Sequence, residues 1–359
     1  MCRKADAVIE FARPGSAESL QGRGLGYAAL RTENSKLVVC SISPFGGSGP
    51  YSAYRGSDIS VVATGGNMYP TGNPDRAPVR CLLPVAYYHG GIEAAVGVVF
   101  ALWGRGVTGE GQAVDVSLQE TMLMASMTNP AQFPLTGFRG GRVGGSFRGG
   151  KALFRELWPC RDGYVSFALR GGPARIPGII ALIKYMDEHG MASAALKERD
   201  WSTYNHNLMP QEEVDAIESA IGAFLLTKTM QELYDAACER HLMLAPANTA
   251  REILASRQLA AREFFVEIEH PELAALYVPN PSHLSQVPLA ATRSHPTGSG
   301  PAEPMVRDPA SLSYPGTFAK TNLNGIGIRC RAPRLGEHNA EVYGELGLDV
   351  AALTAAGVI

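Results

Sequence analysis

The sequence predicts an α/β protein built around a parallel β-sheet, and three patterns near its start lead to that class. Ala7–Phe11 is a short apolar run followed by Arg-Pro-Gly, which is typical of a strand that ends in a loop. Residues 26–33 have helical spacing, and residues 37–42 form the continuous apolar run of a buried strand. A strand, a helix and a second strand in such close succession favour a parallel sheet.

The next prominent element is a helix over residues 84–103 with almost no polar face. A helix of this kind lies in the centre of its domain. Glycines at 90, 91 and 97 let a neighbouring backbone or a ligand come close to it. The elements predicted around it are a helix within residues 58–68 that ends at Gly65-Gly66, a polar turn at 105–112, and a strand at 113–117 that leads into a Met-rich helix ending at Met127.

The second half of the chain is predicted to mix short strands with helices. Two strands within residues 152–168 flank a turn at 161–163. Capping boxes join Thr229 to Glu232 and Thr249 to Glu252, and each marks the start of a helix. Residues 271–335 are Pro-rich and irregular. The predicted helices cover residues 175–188, 210–226, 230–241 and 337–346, and a strand covers 264–268.

Length and charge restrict the class of protein. The 359 residues are enough for about two domains. Lys plus Arg total 32 and Asp plus Glu total 34, with no block of like charge, which excludes a generic nucleic-acid binder and a polybasic membrane-docking protein. The longest apolar segment, residues 92–103, contains Glu93 and is too short to span a bilayer. The first residues do not have the pattern of a signal peptide.

The six cysteines lie far apart without a C-x-x-C pair, which favours a reduced, cytoplasmic protein over a disulfide framework. The eight histidines are scattered and lack the spacing of metal ligands, so no metal site is predicted.

Two glycine-rich segments are candidates for function. Residues 43–50 follow the second predicted strand and contain three glycines and two prolines. Ligands of open α/β sheets gather at the carboxyl ends of strands, where exposed amides approach a phosphate or thioester, but a plain turn is an equally good interpretation. Residues 137–151 contain seven glycines and four cationic side chains. From composition alone this segment is a domain linker in preference to a lid over an anionic ligand.

Sequence blocks across most of the chain resemble the class III CoA-transferases, which include formyl-CoA and carnitine CoA-transferases and α-methylacyl-CoA racemase. The most recognisable block is Thr-Gly-Glu-Gly-Gln-Ala-Val-Asp-Val-Ser-Leu at residues 108–118. The other matching blocks, in the order of the family, are residues 5–15, 25–31, 40–50, 55–58, 71–79, 159–165, 256–265 and 335–339.

The resemblance implies the CoA-transferase family III fold, with a Rossmann-like large domain and a smaller α+β domain. The large, CoA-binding domain would cover residues 1–136 and the small domain residues 152–290, and residues 291–359 would return to the large domain. Residues 137–151 become an active-site lid, because the transferases have a glycine loop there. A CoA thioester would be the substrate, with no tightly bound cofactor. The family's interlocked dimers imply a homo- or heterodimer with a CoA-transferase paralogue.

The chain departs from the family pattern in three places. The family has a complete βαβ unit before the block matched by residues 5–15, and the sequence therefore predicts an N-terminally shortened large domain with an incomplete CoA site. The transferases carry a catalytic aspartate just before the central apolar helix, and Tyr87 stands at its position. The racemases use a His-Asp pair, in which Ser57 replaces the histidine and Asp58 remains.

These replacements remove the family's usual chemistry. In the transferases the aspartate attacks the thioester and forms a mixed anhydride, whereas a phenol, with a pKa of about 10, is a poor nucleophile at pH 7. His89 is an alternative general base, and Glu93 lies one helical turn later. A histidine that only hydrogen-bonds at the helix entrance is the simpler interpretation.

The resemblance also assigns candidate binding residues. Arg13 would meet a CoA phosphate, although a surface charge explains it equally well. Phe45 and Gly46 would line the pantetheine path, while Gly56 and Asp58 would approach the thioester. Asp58 has an alternative role, because Ser57-Asp58 is also a good start for a helix.

Three functional hypotheses follow. The leading one is a subunit that transfers CoA between carboxylic acids with a partner that supplies the catalytic aspartate. The second is a self-contained acyl-CoA hydrolase, lyase or isomerase that uses Tyr87 or His89. The third is a non-catalytic scaffold.

Overall fold

The computed structural model describes residues 1–124, 128–137, 139–274, 311–322 and 326–359. The chain forms two compact units, Met1–Phe154 and Arg155–Ile359. The first unit ends close to the glycine-rich segment 137–151, whereas the domain bounds given above stay predictions.

A parallel three-stranded sheet forms the centre of the first unit, as predicted. Its strands are β1 (Ala7–Phe11), β2 (Val38–Ser43) and β3 (Ala113–Ser117), in the order β1-β2-β3. Ala7 lies opposite Val38, and Val39 lies opposite Ala113. The three carboxyl ends therefore meet at one edge of the sheet, where Ser43 and Ser117 are buried.

Helices cover both faces of this sheet, because side chains of a strand alternate between the two faces. Val38, Cys40 and Ile42 pack against the larger group of helices, and Val39 packs with Leu30 on the opposite side. The helices of this unit are α1 (Tyr27–Glu33), α2 (Asp58–Thr64), α3 (Val85–Thr108), α4 (Leu118–Met124) and α5 (Thr128–Thr136), of which α2, α3 and α4 share the core with Val38.

Helix α3 is longer than the sequence pattern predicts, and the predicted turn at 105–112 is wrong for its first four residues. The Arg105 guanidinium donates hydrogen bonds to the carboxylate of Asp6 at 2.8 Å and to the carbonyl of Lys36 at 3.2 Å, which holds the polar last turn against the sheet. Gly109, at φ +78°, then ends the helix in the left-handed conformation.

The 24 residues of α3 give it the length and apolar composition of a membrane-spanning helix, and no other helix in the described ranges has both. Length and composition are weak evidence for a membrane, since a core helix meets the same criteria. Ala86, Ala94, Val98 and Ala101 pack in the core with the sheet. The opposite side of α3 is exposed, with Trp103 at 77%, so the predicted central position of this helix is wrong for that side.

The predicted helix end at Gly65-Gly66 is confirmed. Helix α2 ends at Thr64, with Gly65 as its C-cap and Gly66 at φ +89°, and so stops short of residue 68. Helix α5 was not predicted from the sequence. The end of the Met-rich helix, including Met127, lies outside the described residues. Within and after the glycine-rich segment, β4 (Ser146–Gly149) pairs with β5 (Ala152–Arg155).

The second unit combines helices with two small antiparallel sheets. The strands β6 (Leu157–Pro159), β7 (Tyr164–Phe167) and β8 (Leu244–Pro246) form one sheet, and β9 (Phe265–Glu269) pairs with β10 (Ser311–Pro315). Both predicted capping boxes are present. Residues 275–310 and 323–325 of the predicted Pro-rich region lie outside the described residues. The helices are α6 (Ile176–Glu188), α7 (Ala194–Glu198), α8 (Gln211–Leu225), α9 (Met230–Arg240), α10 (Ala250–Leu254), α11 (Arg257–Ala261), α12 (Pro271–Ala274), α13 (Asn339–Glu345) and α14 (Val350–Ala355).

Candidate active site

The glycine-rich loop after β2 is hydrogen-bonded to side chains of β2 and β3. The Gly46 N–H donates a hydrogen bond to Ser43 Oγ at 3.0 Å, and the Gly47 N–H donates one to Asp115 Oδ2 at 2.8 Å. Gly46 has φ +90°, a conformation that favours glycine. Both amides are thus engaged by side chains of the sheet, and the loop is held in one conformation.

Gly56 lets the chain cross closely over this loop. A Cβ atom at Gly56 would lie 2.5 Å from Cβ of Pro44 and 3.2 Å from the ring of Phe45. The Phe45 ring packs edge-on against Tyr51 at a centroid distance of 6.1 Å. Arg13 reaches the same region, where its Nη1 donates to the carbonyl of Ala53 at 3.0 Å. The structure therefore brings Phe45 and Gly56 into close contact and places Arg13 against residue 53, in the segment between them.

The starts of α2 and α3 are joined by two reciprocal hydrogen bonds. Asp58 Oδ1 accepts the N–H of Ala86 at 2.9 Å, and the N–H of Asp58 donates to the Tyr87 hydroxyl at 3.1 Å. Helix α3 receives no side-chain cap from its own N-cap residue, Pro84. The Asp58 carboxylate supplies this cap instead, so that one of its oxygens has a structural role.

The second oxygen of Asp58 faces a cation. Asp58 is only 7% exposed, and its Oδ2 accepts no hydrogen bond from the described residues. Arg80 Nη1 lies 3.9 Å from this oxygen, and the Arg80 side chain is 44% exposed. The pair places a guanidinium between a buried carboxylate and the solvent.

Tyr87 lies above the carboxyl end of β1. Its ring packs edge-on against Phe11 with centroids 5.5 Å apart, and the residue remains 40% exposed. His89 is exposed and makes no hydrogen bond or ion pair with Glu93 or with any other described residue. Residues two positions apart on a helix do not face each other, so His89 is not brought to the Asp58–Tyr87 pair.

Cys40, which lies in β2 below the loop, does not supply a reactive thiol to the site. Burial raises the pKa of the Cys40 thiol, and the Asp115 carboxylate raises it further. A thiol of this kind is not a nucleophile at neutral pH. Across the described ranges no three His, Cys, Asp or Glu side chains cluster in a way that could hold a metal ion.

Three residues of the site were not predicted: Arg80, Asp115 and Phe11. Asp115 is the middle residue of β3 and lies in the most recognisable sequence block, which was a usable signal. Phe11 ends β1. Arg80 lies in a loop, and only the fold reveals its carboxylate partner.

Comparison with known proteins agrees with this architecture. Residues 1–300 match the sequence model of CoA-transferase family III. The chain belongs to this family. It is 29% identical over 350 residues to the succinyl-CoA:(R)-benzylsuccinate CoA-transferase subunit BbsE of Thauera aromatica, a match that covers 97% of this chain and 74% of that protein.

One further relative and one solved structure are also similar to the chain. The succinate–glutarate CoA-transferase of Agrobacterium fabrum is 30% identical over 299 residues, which cover 82% of this chain and 70% of that protein. Among solved structures, a CaiB/BaiF family protein from Brucella suis has a TM-score of 0.70 at 22% identity and covers 96% of this chain and 76% of that one. The resemblance inferred from the sequence blocks and the predicted fold class are confirmed, whereas the roles of individual site residues stay predictions.

Proposed function

We propose that this chain takes part in the transfer of CoA from acyl-CoA thioesters to carboxylic acids, as the subunit whose partner supplies the catalytic aspartate. The observation that carries the proposal is Tyr87. It lies in the first turn of α3, at the position that the family resemblance gives to the aspartate, and its hydroxyl oxygen accepts the hydrogen bond from the N–H of Asp58.

A phenol at this place is unsuited to the reaction. Anhydride exchange needs a carboxylate, because attack on a thioester by a carboxylate yields an acyl group that remains activated. Asp58 is the neighbouring carboxylate, but it caps α3 through Oδ1 and faces Arg80 through Oδ2. Among the described residues in contact with Tyr87, the chain thus offers no carboxylate that is available as the nucleophile.

The exposed side of α3 supports a partner. Its large apolar side chains recur every three or four residues, which places them on one side of the helix. Trp103 is 77% exposed, and contiguous apolar surface of this kind marks an interaction site. We infer a second CoA-transferase family III chain as the partner, in keeping with the relative that is itself named as a subunit. The apolar surface of α3 consists of Tyr88, Ile92, Val96, Val99, Phe100, Trp103 and Val107.

The first test restores a carboxylate. The Tyr87→Asp variant and the native chain are each incubated with succinyl-CoA and a panel of dicarboxylic acids, and new CoA thioesters are measured by mass spectrometry. We expect the native chain to be inactive alone and the variant to gain transfer activity. Tyr88→Asp is the matched control, because it adds the same charge at the neighbouring position on the apolar surface, and it should gain none.

The second test identifies the partner. The tagged chain is isolated from its native source, and the co-purifying chains are identified by mass spectrometry. A family III chain with aspartate at the matching position, whose replacement by asparagine abolishes CoA transfer by the pair, supports the proposal. A clean monomer without CoA contradicts it. Hydrolysis of acyl-CoA by the chain alone, lost in His89→Ala, would establish the self-contained enzyme instead.

A further inference from the structure

The glycine-rich segment 137–151 is tied to the turn at residues 69–79 by one arginine. Arg142 donates from Nη1 to the carbonyl of Tyr69 at 3.1 Å and from Nε to the carbonyl of Asn73 at 3.3 Å. Its guanidinium also lies over the ring of Tyr69, 5.3 Å from the centroid. A planar, five-donor group is suited to holding two carbonyls and an aromatic face at once.

A backbone contact two residues later strengthens this connection. The Gly144 N–H donates to the carbonyl of Gly72 at 2.9 Å. Gly144 has φ +61°, and a Cβ atom there would lie 2.4 Å from Oδ1 of Asn73. A side chain at this position would be strained by the backbone angle and would have to displace the Asn73 side chain.

The turn leads directly to the candidate active site. The N–H of Val79 donates to the carbonyl of Thr71 at 3.2 Å and so closes the turn on itself. Arg80 is the next residue, and its guanidinium faces the Asp58 carboxylate at 3.9 Å. An unbroken path of contacts therefore runs from Arg142 through the turn to the charge pair beside Tyr87.

We infer that Arg142 is a positioning residue that holds the 69–79 turn so that Arg80 stays beside Asp58. Arg80 places a positive charge beside a buried carboxylate that would otherwise oppose the approach of an anionic acyl-CoA. The glycine-rich segment thus holds the turn in place through the contacts of Arg142 and Gly144. The effect on CoA binding rests on the proposed function, whereas the mechanical connection does not.

Hydrogen exchange tests the mechanical connection in the full-length chain. Exchange of the amides in peptides that cover residues 69–80 is followed by mass spectrometry in the native chain, Arg142→Ala and Gly144→Ala. We expect the amides of both variants to exchange about tenfold faster there, because the turn opens locally once its contacts with the glycine-rich segment are lost. Arg142→Lys should restore part of the protection.

Arg148→Ala is the matched control for the exchange measurement. It removes the same charge from the same segment, and Arg148 makes no hydrogen bond or ion pair with a described residue. Unchanged exchange in this variant supports the inference. Equal exchange in Arg142→Ala and the native chain, or equal acceleration in Arg148→Ala, would overturn it.

Binding of free coenzyme A tests the positioning role. Its Kd is measured by calorimetry for the native chain, Arg142→Ala, Arg80→Ala and the double variant. We expect Arg142→Ala to weaken binding about five- to tenfold and to add nothing in the Arg80→Ala background, because coupled residues are not additive. Equal losses in both backgrounds would overturn the role of Arg80. If neither the native chain nor its complex with the partner subunit binds coenzyme A, the proposed function is wrong. Hydrogen exchange then still decides whether the glycine-rich segment holds the 69–79 turn.

Discussion

The Tyr87 hydroxyl accepts the backbone N–H of Asp58 at 3.1 Å, while the Asp58 carboxylate accepts the N–H of Ala86, the residue before Tyr87. Each helix thus receives at its start a hydrogen-bond acceptor from the other, which fixes α2 and α3 relative to each other. The candidate reaction centre therefore also stabilises the packing of α2 against α3. Changes to its two side chains should be detected first as changes in stability.

Asp58→Ala should lower the free energy of unfolding by about 1–2 kcal/mol, because a helix that loses its capping acceptor loses about that much. Asp58→Asn retains an oxygen for the Ala86 N–H and should lose less. Tyr87→Phe removes only the acceptor for the Asp58 N–H, with a loss of about 1 kcal/mol. Urea denaturation measures all three. The same stability in Asp58→Ala as in the native chain would contradict the capping role.

Two adjacent glycines of α3 should respond in opposite directions to the same substitution. A Cβ atom at Gly90 would lie 2.1 Å from Cδ2 of buried Leu118, so Gly90→Ala should lose about 1–3 kcal/mol through overpacking. A Cβ atom at Gly91 would meet nothing within 4 Å. Gly91→Ala should therefore gain about 0.5–1 kcal/mol of stability from its higher helix propensity.

The two glycine variants are compared by thermal and urea denaturation of the isolated chain. Each is the control for the other, since the residues share one helix and one substitution. Equal effects of the two changes would mean that α3 does not pack on Leu118 through Gly90.

In the second unit, His206 should make the stability of the fold dependent on pH. Its Nδ1 accepts the N–H of Gly171 at 3.0 Å, and only an unprotonated nitrogen can accept. Burial lowers the pKa of His206 below its usual 6.5, and the charges of Arg170 and Arg175 lower it further. The unfolded chain therefore binds more protons between the two pKa values, and stability rises with pH in this range.

We expect the melting temperature to fall as the pH decreases from 7.5 through 6.5 toward the pKa of the folded state. His206→Asn offers a neutral acceptor to Gly171 and should reduce this dependence on pH. The comparison of the two melting curves at pH 7.5 and 5.5 is the measurement. An unchanged pH dependence in the variant would assign the effect to other groups.

The sequence alone predicted the parallel sheet, because Ala7–Phe11 and the apolar run at 37–42 carry their own local pattern. It also pointed to Tyr87, since a replaced residue is visible inside a matching block. The end of α3 was missed because Arg105 joins the helix through Asp6 and Lys36, which are far away in the sequence. Arg80 and Arg142 were not assigned a role for the same reason, since their partners are brought close only by the fold.

The apolar surface of α3 should be an interface with the partner subunit. Trp103→Glu places a charge within this surface, and the loss of a buried aromatic anchor costs about 2 kcal/mol or more, equivalent to roughly a 30-fold loss of affinity. Leu208→Glu is the matched control, because Leu208 is exposed to a similar extent on a short turn of the second unit. The amount of partner that co-purifies with each tagged variant, measured by quantitative mass spectrometry and by light scattering after size-exclusion chromatography, should fall for Trp103→Glu alone. An equal yield of partner with both variants would show that α3 does not hold the two subunits together.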